Sequence, residues 1–216
     1  MIIEFVGPPG SGKSTILKAL FPHLKSTFEL KYGNIYHKLR LIQVSHKIYL
    51  TIQYFIINPK KAIIITLSIL KAYKFWIYAF NDIINVLHLN TQYLKAAKKK
   101  ETIYIFDQGL IQAELSIIIH GQRTTRNLFQ HNYTECDKII IVGVDLEENI
   151  KRLKFRNSKK SRIENSKNYN LLLNWQKEIN EVYSKLSSTH NNILKIDSSK
   201  NIEFNTIQIE NYLSNN

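Results

Sequence analysis

The chain has 216 residues, 44% of them hydrophobic, which suits one α/β domain with a full core rather than a disordered or fibrous protein. A single cysteine, Cys136, rules out an internal disulfide framework, suits a reducing compartment and lies in no nucleophile motif. The net charge of +13 inclines the surface toward phosphates, nucleic acid or anionic lipid, although Ile, Asn and Lys are abundant together along the whole chain, a bias that accounts for much of it.

Ile2-Ile3-Glu4-Phe5-Val6 is an apolar, β-branched run and predicts a buried strand. A strand that begins at residue 2 leaves no room for a secretory leader, so a cytoplasmic protein is expected. Directly after it comes Gly7-Pro8-Pro9-Gly10-Ser11-Gly12-Lys13-Ser14-Thr15, which fits G-x-x-x-x-G-K-[ST]. Ile16-Leu17-Lys18-Ala19-Leu20 then predicts a helix. Strand, glycine loop and helix are what a phosphate-binding loop requires, because glycines let backbone N–H groups converge on an anion at a helix N-terminus. In that role Lys13 meets the β- and γ-phosphates of ATP, and the Ser14 hydroxyl holds Mg²⁺.

A weaker strand is expected at 28–32, followed by a long interval without one. Helices are expected at about 34–57, 59–73 and 75–99, with Asn58 as an N-cap and Pro59 at the first helical position. This helical region, about 34–100, lies where a phosphotransferase of this layout would bind its acceptor. The apolar run Ala62–Leu70 is too short to span a membrane and is bracketed by Lys60, Lys61, Lys71 and Lys74. It reads first as a buried helix. The alternative is peripheral contact with a membrane interface, given Tyr73, Phe75, Trp76 and Tyr78 nearby.

Ile103–Asp107 predicts a third strand ending in a carboxylate. Asp107 can complete a Mg²⁺ shell or accept the proton of an attacking hydroxyl; the alternative is an N-cap for the next helix. Gln108 then lies beside the acceptor, and Arg123 and Arg126 can hold an anionic one, or decorate a solvated turn. The fourth strand is expected at 138–145, with Asp145 as a helix N-cap. Arg152 and Arg156 are four residues apart and share a helix face, with the polar, basic stretch 157–161 and Arg162 after them. The segment 152–165 has the character of a lid whose guanidinium forks meet phosphoryl oxygens. A fifth strand at 192–197 leads into Asp197-Ser198-Ser199-Lys200, a candidate loop for the nucleotide base. The histidines show no metal-cluster spacing.

Strands alternating with helices imply an α/β three-layer sandwich around a five-stranded parallel sheet, with the ligand at the carboxyl ends of the strands. One such domain over 1–216, with the helices inserted between strands 2 and 3, is the expected organisation.

With the glycine loop, Asp107 and the arginines of 152–162 in place, the chain resembles the nucleoside and nucleotide kinase group of P-loop proteins, and within it thymidylate-kinase-like proteins. The likeness covers 1–25, 101–112 and 138–165 by motif and the rest by topology. It implies an ATP- and Mg²⁺-dependent kinase acting on a small molecule: a nucleoside, a nucleotide or a sugar-related metabolite. That family commonly places an arginine directly after the acid to clamp the acceptor phosphate, whereas Gln108 stands here, so the resemblance does not extend to the usual nucleotide acceptor. Asp107-Gln108-Gly109-Leu110 is also similar to kinase-like proteins associated with surface-polysaccharide synthesis. A GTPase-type switch lacks its base-recognition motif, since Leu194 stands where N-K-x-D needs asparagine. A nucleotide-hydrolysing ATPase or a nucleic-acid-end kinase is the alternative class, the second resting mainly on charge.

Overall fold

Five short apolar runs become five strands in the computed structural model, which describes residues 1–25, 29–32, 40–121, 136–156, 170–187 and 192–214. In chain order the elements are β1 (Ile2–Val6), α1 (Lys13–Lys25), β2 (Glu29–Tyr32), α2 (Arg40–Ile57), α3 (Pro59–Ala72) and α4 (Trp76–Ala97). They continue with β3 (Thr102–Phe106), α5 (Leu110–His120), β4 (Lys138–Gly143), α6 (Leu146–Phe155), α7 (Asn170–Ser187), β5 (Ile193–Asp197) and α8 (Ile202–Ser214). The strands form one sheet in the order β2-β3-β1-β4-β5, every neighbouring pair parallel. The chain thus has the α/β parallel-sheet architecture that its strand–helix alternation implies.

β1 is the centre of the sheet, in register with β3 on one side (Ile3 beside Ile105) and β4 on the other (Val6 beside Ile141). Its side chains alternate between two cores. Ile3 and Phe5 pack with Ile16, Leu17 and Leu20 of α1 and Ile209 of α8. Ile2 and Val6 point to the opposite layer, where α3, α4 and α5 meet one end of the sheet and α5, α6 and α7 the other. Glu4 lies between them in the sequence and is fully buried. At the far end of the sheet Lys138 is also buried, and its Nζ donates to the Tyr212 carbonyl at 2.9 Å while sitting 4.8 Å from the Tyr212 ring. A cation there satisfies a carbonyl at the C-terminus of α8 and suits its dipole.

The helical insertion falls between β2 and β3 as expected, with α2 packed along α4 and α3 packed on α4 and α5. Pro59 opens α3 and Asn58 precedes it, but the Asn58 side chain makes no cap hydrogen bond; its N–H donates to Tyr54 and its carbonyl accepts from Ala62. Asp145 likewise precedes α6 without a side-chain cap bond, its carbonyl accepting from the Asn149 N–H at 2.9 Å. α3 corrects the expectation of a buried helix. Ala62, Ile65, Ile69 and Ala72 face the core, whereas Ile63, Ile64 and Leu67 are about half-exposed on the other side. Only one face of the helix has α4 and α5 to cover it. Among the described residues no helix is long and apolar enough to cross a membrane.

Candidate active site

The loop between β1 and α1 is shaped by two glycines in the left-handed region, Gly10 at φ 86° and Gly12 at φ 89°. A side chain would strain either position. The Ser11 N–H closes a turn onto the Pro8 carbonyl at 3.1 Å, and the Gly12 carbonyl accepts from Thr15 and Ile16, both at 3.0 Å, to begin the helix. The N–H groups of the first turn, which a helix leaves without intrahelical partners, are therefore gathered at the mouth of the loop. Lys13 folds back over the loop, its Nζ donating to the carbonyls of Gly7 at 2.6 Å and Pro8 at 3.0 Å. Burial lowers its pKa to about 7, opposed by Asp107 and reinforced by Arg156. Ser11 Oγ is buried beneath the loop with no hydrogen-bond partner. Ser14 and Thr15 are exposed.

This loop forms one wall of a cavity of about 1160 Å³. Pro9, Gly10, Ser11, Gly12, Lys13, Ser14 and Thr15 line it, and Asp107, Gln108 and Gly109 line it from the tip of β3. Gly7 and Pro8 lie behind, as the carbonyls that hold Lys13. Gly109, not Asp107, is the residue preceding α5, so the alternative of Asp107 as an N-cap does not hold. Arg152 and Arg156 reach the cavity from α6. Arg152 is held firmly: Nε pairs with Glu148 at 2.9 Å, Nη1 donates to Ser198 Oγ at 3.0 Å and Nη2 to the Ser198 carbonyl at 3.2 Å. Arg156 ends the helix and is exposed. Ser198, which holds Arg152, also lines the cavity with Ile202 and Asn205, so the loop after β5 and the start of α8 open onto it. Arg123, Arg126 and Arg162, with the segment beyond Arg156 that was expected to form a lid, lie outside the described residues.

Behind Asp107-Gln108-Gly109 is a polar chain that the sequence reading passed over. The Glu4 carboxylate accepts from Tyr93 Oη at 2.7 Å and from the Gln112 N–H at 2.8 Å. It therefore caps the N-terminus of α5, where a negative charge is favoured by the helix dipole. Burial nonetheless pushes its pKa up to about 7, against the pull of the Tyr93 hydroxyl and the N–H groups of Gln112, Ile111 and Leu110. Gln112 extends the chain to the glycine loop, its Oε1 accepting from the Gly7 N–H at 3.0 Å. The backbone at Gly109 passes so close that a Cβ there would lie 2.5 Å from Glu4 Oε2. The sequence did contain a signal, the one charged residue in an otherwise apolar central strand.

Much of the remaining cavity lining comes from the helical insertion. Gln43 and Lys47 of α2 and Asn81, Asn85 and His88 of α4 line the cavity, together with Gln112, Ser116 and His120 of α5. Lys47 Nζ donates to Asn85 Oδ1 at 3.0 Å, and burial lowers its pKa. His88 Nδ1 faces the Ile84 carbonyl at 3.0 Å, which fixes the proton on that nitrogen. Burial lowers the His88 pKa to about 4, with the Ile84 carbonyl opposing and Lys47 and His46 reinforcing. No sequence motif marks these residues, because α2 and α4 bring them together only through packing.

The described residues contain no cluster of His, Cys, Asp and Glu able to hold a metal by itself. Mg²⁺ does not need one, since it takes one or two protein oxygens and completes its octahedron with phosphate and water. The Ser14 hydroxyl and the Asp107 carboxylate in one cavity fit that donor set, and the partnerless Ser11 Oγ fits a loop shaped for an anion.

No family model matches the sequence, and no curated protein matches it. Solved structures are similar in fold. Deoxyadenosine kinase from M. mycoides, with dCMP and a flexible dCDP bound, aligns with a TM-score of 0.62 at 20% identity, over 99% of this chain and 98% of that one. The same enzyme with dCTP bound aligns at 0.59 and 17% identity, over 99% of this chain and 98% of that one. With dATP bound it aligns at 0.55 and 17% identity, over 99% of both chains. The chain thus has the fold of the P-loop nucleoside and nucleotide kinases.

Proposed function

We propose that this protein is an ATP- and Mg²⁺-dependent phosphotransferase acting on a hydroxyl-bearing small molecule. The observation that carries this reading is the shared cavity: Lys13, Ser14 and Asp107 open into the same space as the amide-rich wall of α2, α4 and α5. Phosphoryl transfer asks for positioning and charge stabilisation more than covalent chemistry, and a site with a donor end and an acceptor end provides both. Lys13 sits at the transferring phosphoryl group once its hydrogen bonds to Gly7 and Pro8 are exchanged for phosphate oxygens. Ser14 and Asp107 hold Mg²⁺, which neutralises charge on the polyphosphate when bound; Asp107 alternatively accepts the acceptor's proton. Arg152 and Arg156, with Arg162, close over the phosphates as the lid of a thymidylate-kinase-like protein. Gln108, and Arg123 and Arg126 beyond it, bind the acceptor. An ATP-consuming reaction and a single cysteine suit the cytoplasm.

The acceptor end favours hydroxyl groups over a stacked base. Gln43, Asn81, Asn85, Gln108 and Gln112 each offer an amide that can both donate and accept, as a hydroxyl does. Among the described lining residues the one Phe, Tyr or Trp ring is that of Trp175, which belongs to the core under α6 and α7. A sugar, or the sugar end of a nucleoside, matches this chemistry, and deoxyadenosine kinase as a structural neighbour is consistent with the second.

Titration calorimetry and a transfer assay separate the roles. Lys13→Ala weakens ATP binding and abolishes transfer. Asp107→Asn retains ATP binding in the absence of Mg²⁺ and loses on the order of 10²-fold in turnover. Wild-type ATP affinity and turnover in Lys13→Ala contradict the proposal.

A further inference from the structure

We propose that the outer face of α3, with the aromatic segment that follows it, docks on an anionic membrane surface. The face is a helical stripe: Lys60, Ile63, Ile64, Leu67 and Lys71 recur at spacings of three and four and are all exposed. Its lysines stand at the two ends of the apolar run. That is where long cationic side chains reach headgroups while their stems lie along acyl chains. Directly after the helix come Lys74, Phe75, Trp76 and Tyr78, with Trp76 72% exposed. Trp and Tyr favour the boundary between headgroups and hydrocarbon, and Lys74 Nζ lies 5.6 Å from the Phe75 ring centroid. A soluble monomer rarely exposes apolar side chains in such a contiguous row.

Charge selects the occupant. From Leu30 to Asn81 the sequence contains no aspartate or glutamate. A twofold dimer through this face would set it against itself, lysine facing lysine, with no aspartate or glutamate in the segment 30–81 that carries it. An anionic bilayer supplies the missing charge and covers the apolar stripe at once. The helix lies in the interface plane and does not cross, since no described helix is long and apolar enough. This inference is independent of the kinase reading.

Sedimentation of the full chain with vesicles tests it. Binding to vesicles of phosphatidylcholine mixed with phosphatidylglycerol is expected to exceed binding to phosphatidylcholine alone by at least about tenfold, each lysine contributing roughly fivefold, and to weaken as salt is raised. Replacing Lys60, Lys61, Lys71 and Lys74 together by Gln removes the preference for the anionic vesicles. Ile63→Gln with Ile64→Gln and Leu67→Gln removes binding to both. All seven side chains are exposed, and unchanged circular dichroism confirms that the variants fold. Failure to sediment with either vesicle overturns the proposal. So does a dimer formed without vesicles that the apolar substitutions dissociate, which would assign the face to a second copy of the chain.

Discussion

Burial moves two ionisable side chains near the cavity in directions that oppose each other in pH. Glu4 keeps its proton in the folded protein up to about pH 7 but releases it near 4.5 when unfolded. Across that window the unfolded chain binds fewer protons, so the contribution of Glu4 is present below 4.5 and lost as pH rises to 7. The change is roughly 3 kcal/mol. His88 behaves in the reverse sense, because it loses its proton near pH 4 when folded and near 6.5 when unfolded. Its contribution, of similar size, is present above 6.5 and lost as pH falls through 4. The two nearly cancel in the wild-type protein. Urea unfolding from pH 4.5 to 6.5 is therefore expected to show a rising stability in Glu4→Gln and a falling one in His88→Gln. Parallel pH profiles in the two variants would remove the burial argument for both.

Among the elements, α5 joins the sheet, the glycine loop and the polar cavity lining from α2 and α4. Glu4 caps its first turn, and Gln112 ties it to Gly7. Gly109 permits that approach, and a methyl group there would meet both Tyr93 Oη and the Glu4 carboxylate. Gly109→Ala is expected to lower stability by about 1–3 kcal/mol and to displace the start of α5. Loss of transfer activity should follow, with an unaltered melting temperature as the contrary result. The elements themselves were largely legible. β1 and β5 fall within a residue of their expected bounds, and α3 and α4 match the helices expected at about 59–73 and 75–99. What was not legible is what packing creates. Lys47 and Asn85 are far apart in sequence and meet only because α2 lies against α4. Glu4 was visible as a lone charge in β1, but its partner Tyr93 and its place at the α5 N-terminus depend on the sheet order.

For the whole molecule, the parallel sheet with β1 at its centre gathers the described candidate groups Lys13, Ser14, Asp107, Gln108, Arg152 and Arg156 around one cavity. The carboxyl ends of β1 and β3 bring the glycine loop beside Asp107, and α6 delivers Arg152 and Arg156 from the β4 side. That convergence followed from the sequence, because a strand–loop–helix motif and strand-end acids have fixed places in a doubly wound sheet. The outer face of α3 did not follow, since an apolar run can be buried or exposed and only its neighbours decide. A cavity that holds a phosphoryl donor beside a hydroxylated acceptor must support transfer between them. The most direct test is a transfer screen with isotopically labelled ATP and Mg²⁺ against sugars, nucleosides and nucleoside monophosphates, run beside Lys13→Ala. Label is expected on a hydroxyl of at least one acceptor, with none in the variant. ATP hydrolysed to free phosphate with no acceptor labelled, at a rate indifferent to the whole panel, would contradict it.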